Sequence, residues 1–271
     1  MTATRFLAVA TLTATCLTLG ACSTPPSPSA TGSVWVAAEG ADSLNVIDAA
    51  THQVRMTMTG LEAPHNVQVV RAGARVYATS GAGGGAASDP ATYRVVASAP
   101  TGSHPAHVIE APNGRVYVTD AGDGTVSVYQ GPGLTPAGRI TLGGMPHGLR
   151  PAADGSVIVV ANMMSESLDL IDPATDRSIG AVPVGGAPVQ VAVSADGRYA
   201  YTGLSEPPSV VKVELGQRKV VGAVNVSSAP VQLYLTPDEK TVLCADQGSR
   251  DNPGHSLSVN DPAAMDVRGT V

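Results

Sequence analysis

Aromatic side chains are scarce in this chain: of 271 residues one is Trp, one is Phe and seven are Tyr. A core must therefore be built mainly from Val, Ala, Leu and Ile, and the Val and Ile content favours pleated strands. Cysteine is nearly absent, with only Cys16, Cys22 and Cys244. The first two lie in or just after an N-terminal apolar run, so no pair remains for a disulfide framework. Cys244 is enclosed in the run TVLCA with no positive charge beside it, and reads as a small core residue rather than a reactive thiol. Basic clusters are missing at a net charge of −6, which removes the electrostatic footprint of nucleic-acid binding. There is no nucleophile elbow and no Cys/His zinc spacing. Gly81 to Gly85 lacks the Lys and the following helix that a phosphate-binding loop requires.

What the chain has is repetition. A Pro opens each unit at Pro64, Pro105, Pro146, Pro188 and Pro230, at intervals of 41, 41, 42 and 42 residues. Each Pro leads a short apolar run, for example PHGLRPA or PVQVAVS. Turn residues follow at Ala72-Gly73, Asn113-Gly114, Asp154-Gly155, Asp196-Gly197 and Asp238-Glu239, and then a second run such as RVYVTD or SVIVVAN. Asp-Gly between apolar runs signals a hairpin, and the two-residue type I′ turn is the form expected. Third runs such as LDLID end at Asp-Pro, where Pro removes the donor that would continue a ladder. The spacing predicts four-stranded antiparallel meanders of about 40 residues, the size of a propeller blade.

Tyr117-Val118-Thr119-Asp120, Asn162 and the stretch Leu168 to Thr175 (LDLIDPAT) resemble the YVTN family of β-propeller repeats over roughly residues 33 to 271. The resemblance implies an all-β propeller and says little about activity, because such folds serve many roles. Residues 34–60 supply a second, third and fourth strand with no first strand ahead of them. The sequence thus predicts six blades, the first lacking its innermost strand, or a seven-bladed ring cut at its C-terminus. Gly81 to Asp89 (GAGGGAASD) occupies the place of a third strand. Gly costs entropy and packs nothing, so a mobile loop is expected there.

Residues 1–21 carry one charge, Arg5, and the apolar run Phe6 to Gly20, which is short for a membrane span. Leu19-Gly20-Ala21-Cys22 resembles the lipobox of bacterial lipoproteins. That resemblance implies cleavage before Cys22, its lipidation (palmitate among the acyl chains) and display on the outer face of the membrane or in the cell envelope. Residues 22–32 form a Pro/Ser-rich tether, and 33–271 the propeller.

Propeller geometry places five of the six His on the face where ligands usually sit. His65, His104, His107 and His147 lie beside the opening Pro residues, and His255 in a loop from Gln247; only His52 maps to the other face. His65, His107 and His147 are the candidate ligand-binding and metal residues. Met163 and Met164 are candidate thioether donors for copper, and Asp120 is a candidate acid. Register weighs against the metal reading. His65 and His147 follow Pro directly whereas His107 follows one residue later, and in a regular strand one residue reverses the side chain. Acids on the other face, Asp48, Asp154, Asp172, Asp196 and Asp238, read as turn formers. The sequence demands no cofactor and shows no catalytic constellation. The function expected first is a monomeric, membrane-anchored binding scaffold for an envelope protein, a glycan or a small ligand. The second is a hydrolase or lyase, metal-assisted, because Pro146-His147-Gly148 resembles motifs of propeller lyases of the virginiamycin-lyase type and because YVTN-like propellers include lactonases.

Overall fold

The structure, a computed structural model, describes residues 32–70 and 74–271. The predicted leader, Cys22 and most of the tether lie outside the described residues. The described chain is an all-β propeller of six antiparallel sheets. Blade 1 holds β1 (Ser33–Ala38), β2 (Ser43–Asp48) and β3 (Val54–Thr59). Blade 2 holds β4 (Val67–Val69), β5 (Val76–Ser80), β6 (Gly84–Asp89) and β7 (Arg94–Pro100). Blade 3 comprises β8 (Pro105–Glu110), β9 (Arg115–Asp120), β10 (Thr125–Gln130) and β11 (Thr135–Thr141). Blade 4 comprises β12 (Pro146–Pro151), β13 (Ile158–Asn162), β14 (Ser167–Asp172) and β15 (Arg177–Pro183). Blade 5 runs through β16 (Pro188–Val193), β17 (Tyr199–Ser205), β18 (Pro208–Glu214) and β19 (Lys219–Asn225), and blade 6 through β20 (Pro230–Leu235), β21 (Val242–Gly248), β22 (Pro253–Asp261) and β23 (Asp266–Thr270). Blade 1 has three strands and the others four, as the spacing of the Pro residues predicts.

The turns follow from local chemistry. Between third and fourth strands Asp48, Asp89 and Asp261 each accept the backbone N–H groups two and three residues on. Asp172 accepts the Ala174 N–H and the Thr175 hydroxyl. Between first and second strands the hairpin differs from the expected type I′ form. Gly155 N–H bonds to Ala152 O, and of the Asp-Gly pair only Gly155 has a positive φ (75°). This is a type I turn followed by a left-handed Gly, the pattern of a longer hairpin loop. In blade 6 Glu239 takes that conformation at φ 56°.

Blade 2 corrects another expectation. The Gly/Ala segment is not a loop: Gly84–Asp89 is a third strand, paired with both of its neighbours. Ladder hydrogen bonds need no side chain, so two flanking strands can order a sequence of poor intrinsic propensity. Ala86 and Ala87 are buried, and large neighbours fill the layers around them: Trp35 and Tyr93 on one side, Tyr77 and Tyr129 on the other. The loop predicted from Gln247 to His255 is likewise shorter, because β22 already begins at Pro253.

The core lies between blades, in five apolar clusters that join blade 1 to 2, 2 to 3, 3 to 4, 4 to 5 and 5 to 6. Cys244 is part of the last, fully buried, and burial pushes its thiol pKa up. First strands run innermost, so their opening residues converge on the channel.

Candidate metal centre at the channel mouth

Four of the five Pro-led strands, those opened by Pro105, Pro146, Pro188 and Pro230, start with a break in register, whereas β4 pairs with β5 without one. Pro105 pairs with Asp120 and Val108 with Val118, so Ala106 and His107 together oppose Thr119. Pro146 pairs with Asn162 and Leu149 with Val160, so His147 and Gly148 oppose Ala161. This is a β-bulge, and a bulge suspends strict alternation and re-aims side chains. The register objection to a shared pocket therefore fails: His107 and His147, one position apart in register, turn into the same space.

At the start of these first strands a backbone N–H is taken by the Thr of the second strand. Thr79 Oγ1 accepts the Asn66 N–H at 3.0 Å and donates to Ala106 O of the next blade at 3.2 Å. Thr119 Oγ1 accepts the His107 N–H at 2.9 Å and donates to His147 O at 2.6 Å. One buried hydroxyl thus fixes the backbones of two of the candidate histidines to each other.

His65, His107 and His147 come from three consecutive blades, and each offers a ring nitrogen such that the three atoms lie within 4.8 Å of one another. The ring centroids are 5.7 Å (His65–His107), 5.3 Å (His65–His147) and 4.9 Å (His107–His147) apart. A second partner holds each ring. His65 Nδ1 faces Glu39 Oε2 at 3.3 Å, and His147 Nδ1 donates to Val189 O at 3.0 Å. His107 Nδ1 accepts the Gln190 side-chain N–H at 3.3 Å. Gln190 is fully buried and also donates to Gln232 Oε1 at 3.1 Å. It reaches His107 across blade 4 because position 148 is Gly: a Cβ there would stand 2.2 Å from Gln190 Oε1 and 2.7 Å from Val189 O.

The electrostatics keep the inner rings neutral. Burial, then the neighbouring His147, Arg150 and His65, hold the His107 pKa well below its ordinary value. Burial and then His65 lower that of His147 to about 4, against the opposing pull of the Val189 carbonyl. Neutral imidazoles with one nitrogen free are the form that binds metal, and the acceptors behind His65 and His147 orient those two rings, whereas Gln190, whose Oε1 accepts the Val191 N–H, donates to His107 Nδ1.

The other candidates lie apart from this cluster. Asp120 is fully buried and accepts from Gly102 N–H (2.9 Å), Thr125 (3.0 Å) and Ser127 (2.7 Å), which ties its strand to the loop entering the same blade. Asn162 does the same in blade 4 through Met145 N–H. Burial raises the Asp120 pKa against those three hydrogen bonds. Met164 is 75% exposed, and neither it nor Met163 lines the cavity beside the rings. Met145 does, in a cavity of about 190 Å³ bounded also by His65, His147, Glu39, His104 and small apolar residues. Met145 and Gln190 went unrecognised in the sequence, and Glu39, which maps to the same face there, has no spacing that pairs it with His65. Gln190 had one signal, its place two residues after an opening Pro, as for His107.

Residues 82–206 match the YNCE-like beta-propeller family, a stretch that includes His107 and His147 but not His65. No curated protein matches the chain in sequence. Among solved structures, the chain resembles hydrazine synthase from Kuenenia stuttgartiensis at 20% identity and a TM-score of 0.68, over 77% of this chain and 66% of that one. It thus spans about two thirds of that relative's length. It also resembles a functionally unknown protein from Desulfotomaculum acetoxidans DSM 771 at 17% identity and a TM-score of 0.74, over 88% of this chain and 81% of that chain. At these identities the likeness is one of fold, and the family match supports a propeller of the YVTN type.

Proposed function

We propose that this protein is an envelope-anchored propeller that binds a divalent transition metal ion at its channel mouth. The observation that carries the reading is the convergence of His65, His107 and His147, each held from behind by a second polar group. Three imidazoles suit zinc, copper or nickel. The ligand favoured here is thus a metal ion rather than a protein or a glycan. The lipobox at Cys22 supports anchorage outside the cell, with acyl chains on Cys22 in the membrane and residues 23–32 as the tether.

Titration of metal-free protein with Zn²⁺ and Cu²⁺ should show one saturable site per chain, lost in His65→Ala/His147→Ala. Absence of saturable binding by the unaltered protein sinks the reading. Anchorage is tested separately, since Cys22→Ala should move the protein from the membrane to the soluble fraction. A hydrolase or lyase reading draws on one further observation: Glu39 stands beside His65 at the cavity, where a carboxylate can serve as a general base.

A further inference from the structure

We infer that the centre is an open one, and that its free coordination positions take a small monoanionic donor with a short apolar body, such as a short-chain carboxylate. The inference rests on the metal reading above. Among the described residues no fourth His, Cys, Asp or Glu joins the three rings. Glu39 is engaged with Nδ1 of His65. Met163 and Met164 stay outside the cavity. Three protein ligands on a metal that prefers four or more leave a position free, the arrangement of centres that bind exogenous molecules rather than of closed structural sites.

A cavity beside the rings offers room for that ligand. It lies against His65 and His147, and at about 190 Å³ it admits only a small molecule. Ala63, Pro105, Ala106 and Met145 give it apolar walls. A dication held by three neutral rings keeps two positive charges, the Arg150 guanidinium near His107 adds a third and Glu39 offsets one, so the centre favours an anionic head. Such a ligand replaces a metal-bound water and lays its hydrocarbon against those walls.

The probe is Co²⁺, whose visible ligand-field bands report its coordination sphere. Co²⁺-loaded protein is titrated with azide, a minimal anion, and with n-butyrate. Both should shift the bands with saturation. Met145→Trp, which fills the apolar part of the cavity, should weaken butyrate at least about tenfold more than azide. Bands that neither anion moves mean a closed centre and overturn the inference while leaving metal binding intact. Azide binding without butyrate binding, or equal loss of both in Met145→Trp, overturns the ligand class. Failure to take up Co²⁺, together with Zn²⁺ and Cu²⁺, overturns the metal reading and this inference with it.

Discussion

At the scale of single residues, the site depends on small polar groups more than on the histidines' own neighbours in sequence. Thr119 is the clearest. Its hydroxyl is fully buried and bridges the His107 N–H and the His147 carbonyl. Thr119→Val keeps the shape and removes both hydrogen bonds, which leaves a buried donor and a buried acceptor unpaired. The expected cost is about 1–3 kcal/mol of stability, with weaker metal binding as the two rings lose their common tie. Chemical denaturation and metal titration of the same variant measure the two effects. A variant as stable as the parent, with unchanged affinity, would show that the bridge does not position the rings. Gly148 acts by absence. It is Gly because the Gln190 amide and the Val189 carbonyl occupy the space a Cβ would need.

At the scale of elements, the repeated Asp turns between third and fourth strands contribute to the acid sensitivity of the fold. The carboxyls of Asp48 and Asp89 are held below their ordinary pKa of 3.8 chiefly by backbone N–H groups of their own turns. The Ala264 N–H leads for Asp261 and the Thr175 hydroxyl for Asp172. A depressed folded pKa means that the unfolded chain takes the proton first as pH falls. The contribution of these turns is therefore complete above the unfolded value of about 3.8 and disappears as pH drops through the folded values. Asp172→Asn/Asp261→Asn imitates the protonated acids. Its stability deficit against the parent should hold constant from neutral pH to about 5 and close below about 3.8, as read by denaturant unfolding across pH. A deficit that persists at low pH would place the effect in geometry rather than charge.

At the scale of the whole molecule, burial is uneven around the ring. The second strands β9 and β13 are buried on both faces, because a blade packs on each side. In blades 1 and 6 only one face is packed. Val34 is 52% exposed and Val36 39%, and Tyr234 in blade 6 is 56% exposed. Among the described residues five apolar clusters join successive blades, and none of them joins blade 6 to blade 1. Local opening costs least where few apolar contacts are lost. Amide hydrogen exchange should be slowest in β9, β13 and β17 and faster in blades 1 and 6, with β3 and β23 fastest. Uniform protection across all six blades would contradict this. The histidine cluster falls in blades 2 to 4, away from the two half-packed end blades.

The sequence by itself determined the blades. Their signals are local: Pro opening a strand, Asp accepting nearby N–H groups at a turn, and Val or Ile on pleated runs. Each acts within a few residues, so each was legible. Tertiary structure decided three things. It made a strand of Gly84–Asp89, because the flanking strands supplied the hydrogen bonds its composition does not favour. It changed the hairpin type, because a single left-handed Gly was enough for the longer loop. It also brought His65, His107 and His147 together, though they stand about forty residues apart and in different register. Alternation along a strand foretold the opposite, because it holds only in a regular ladder. The bulges after Pro105 and Pro146 break that ladder for His107 and His147, and the packing of blade on blade, which no single repeat contains, brings His65 beside them.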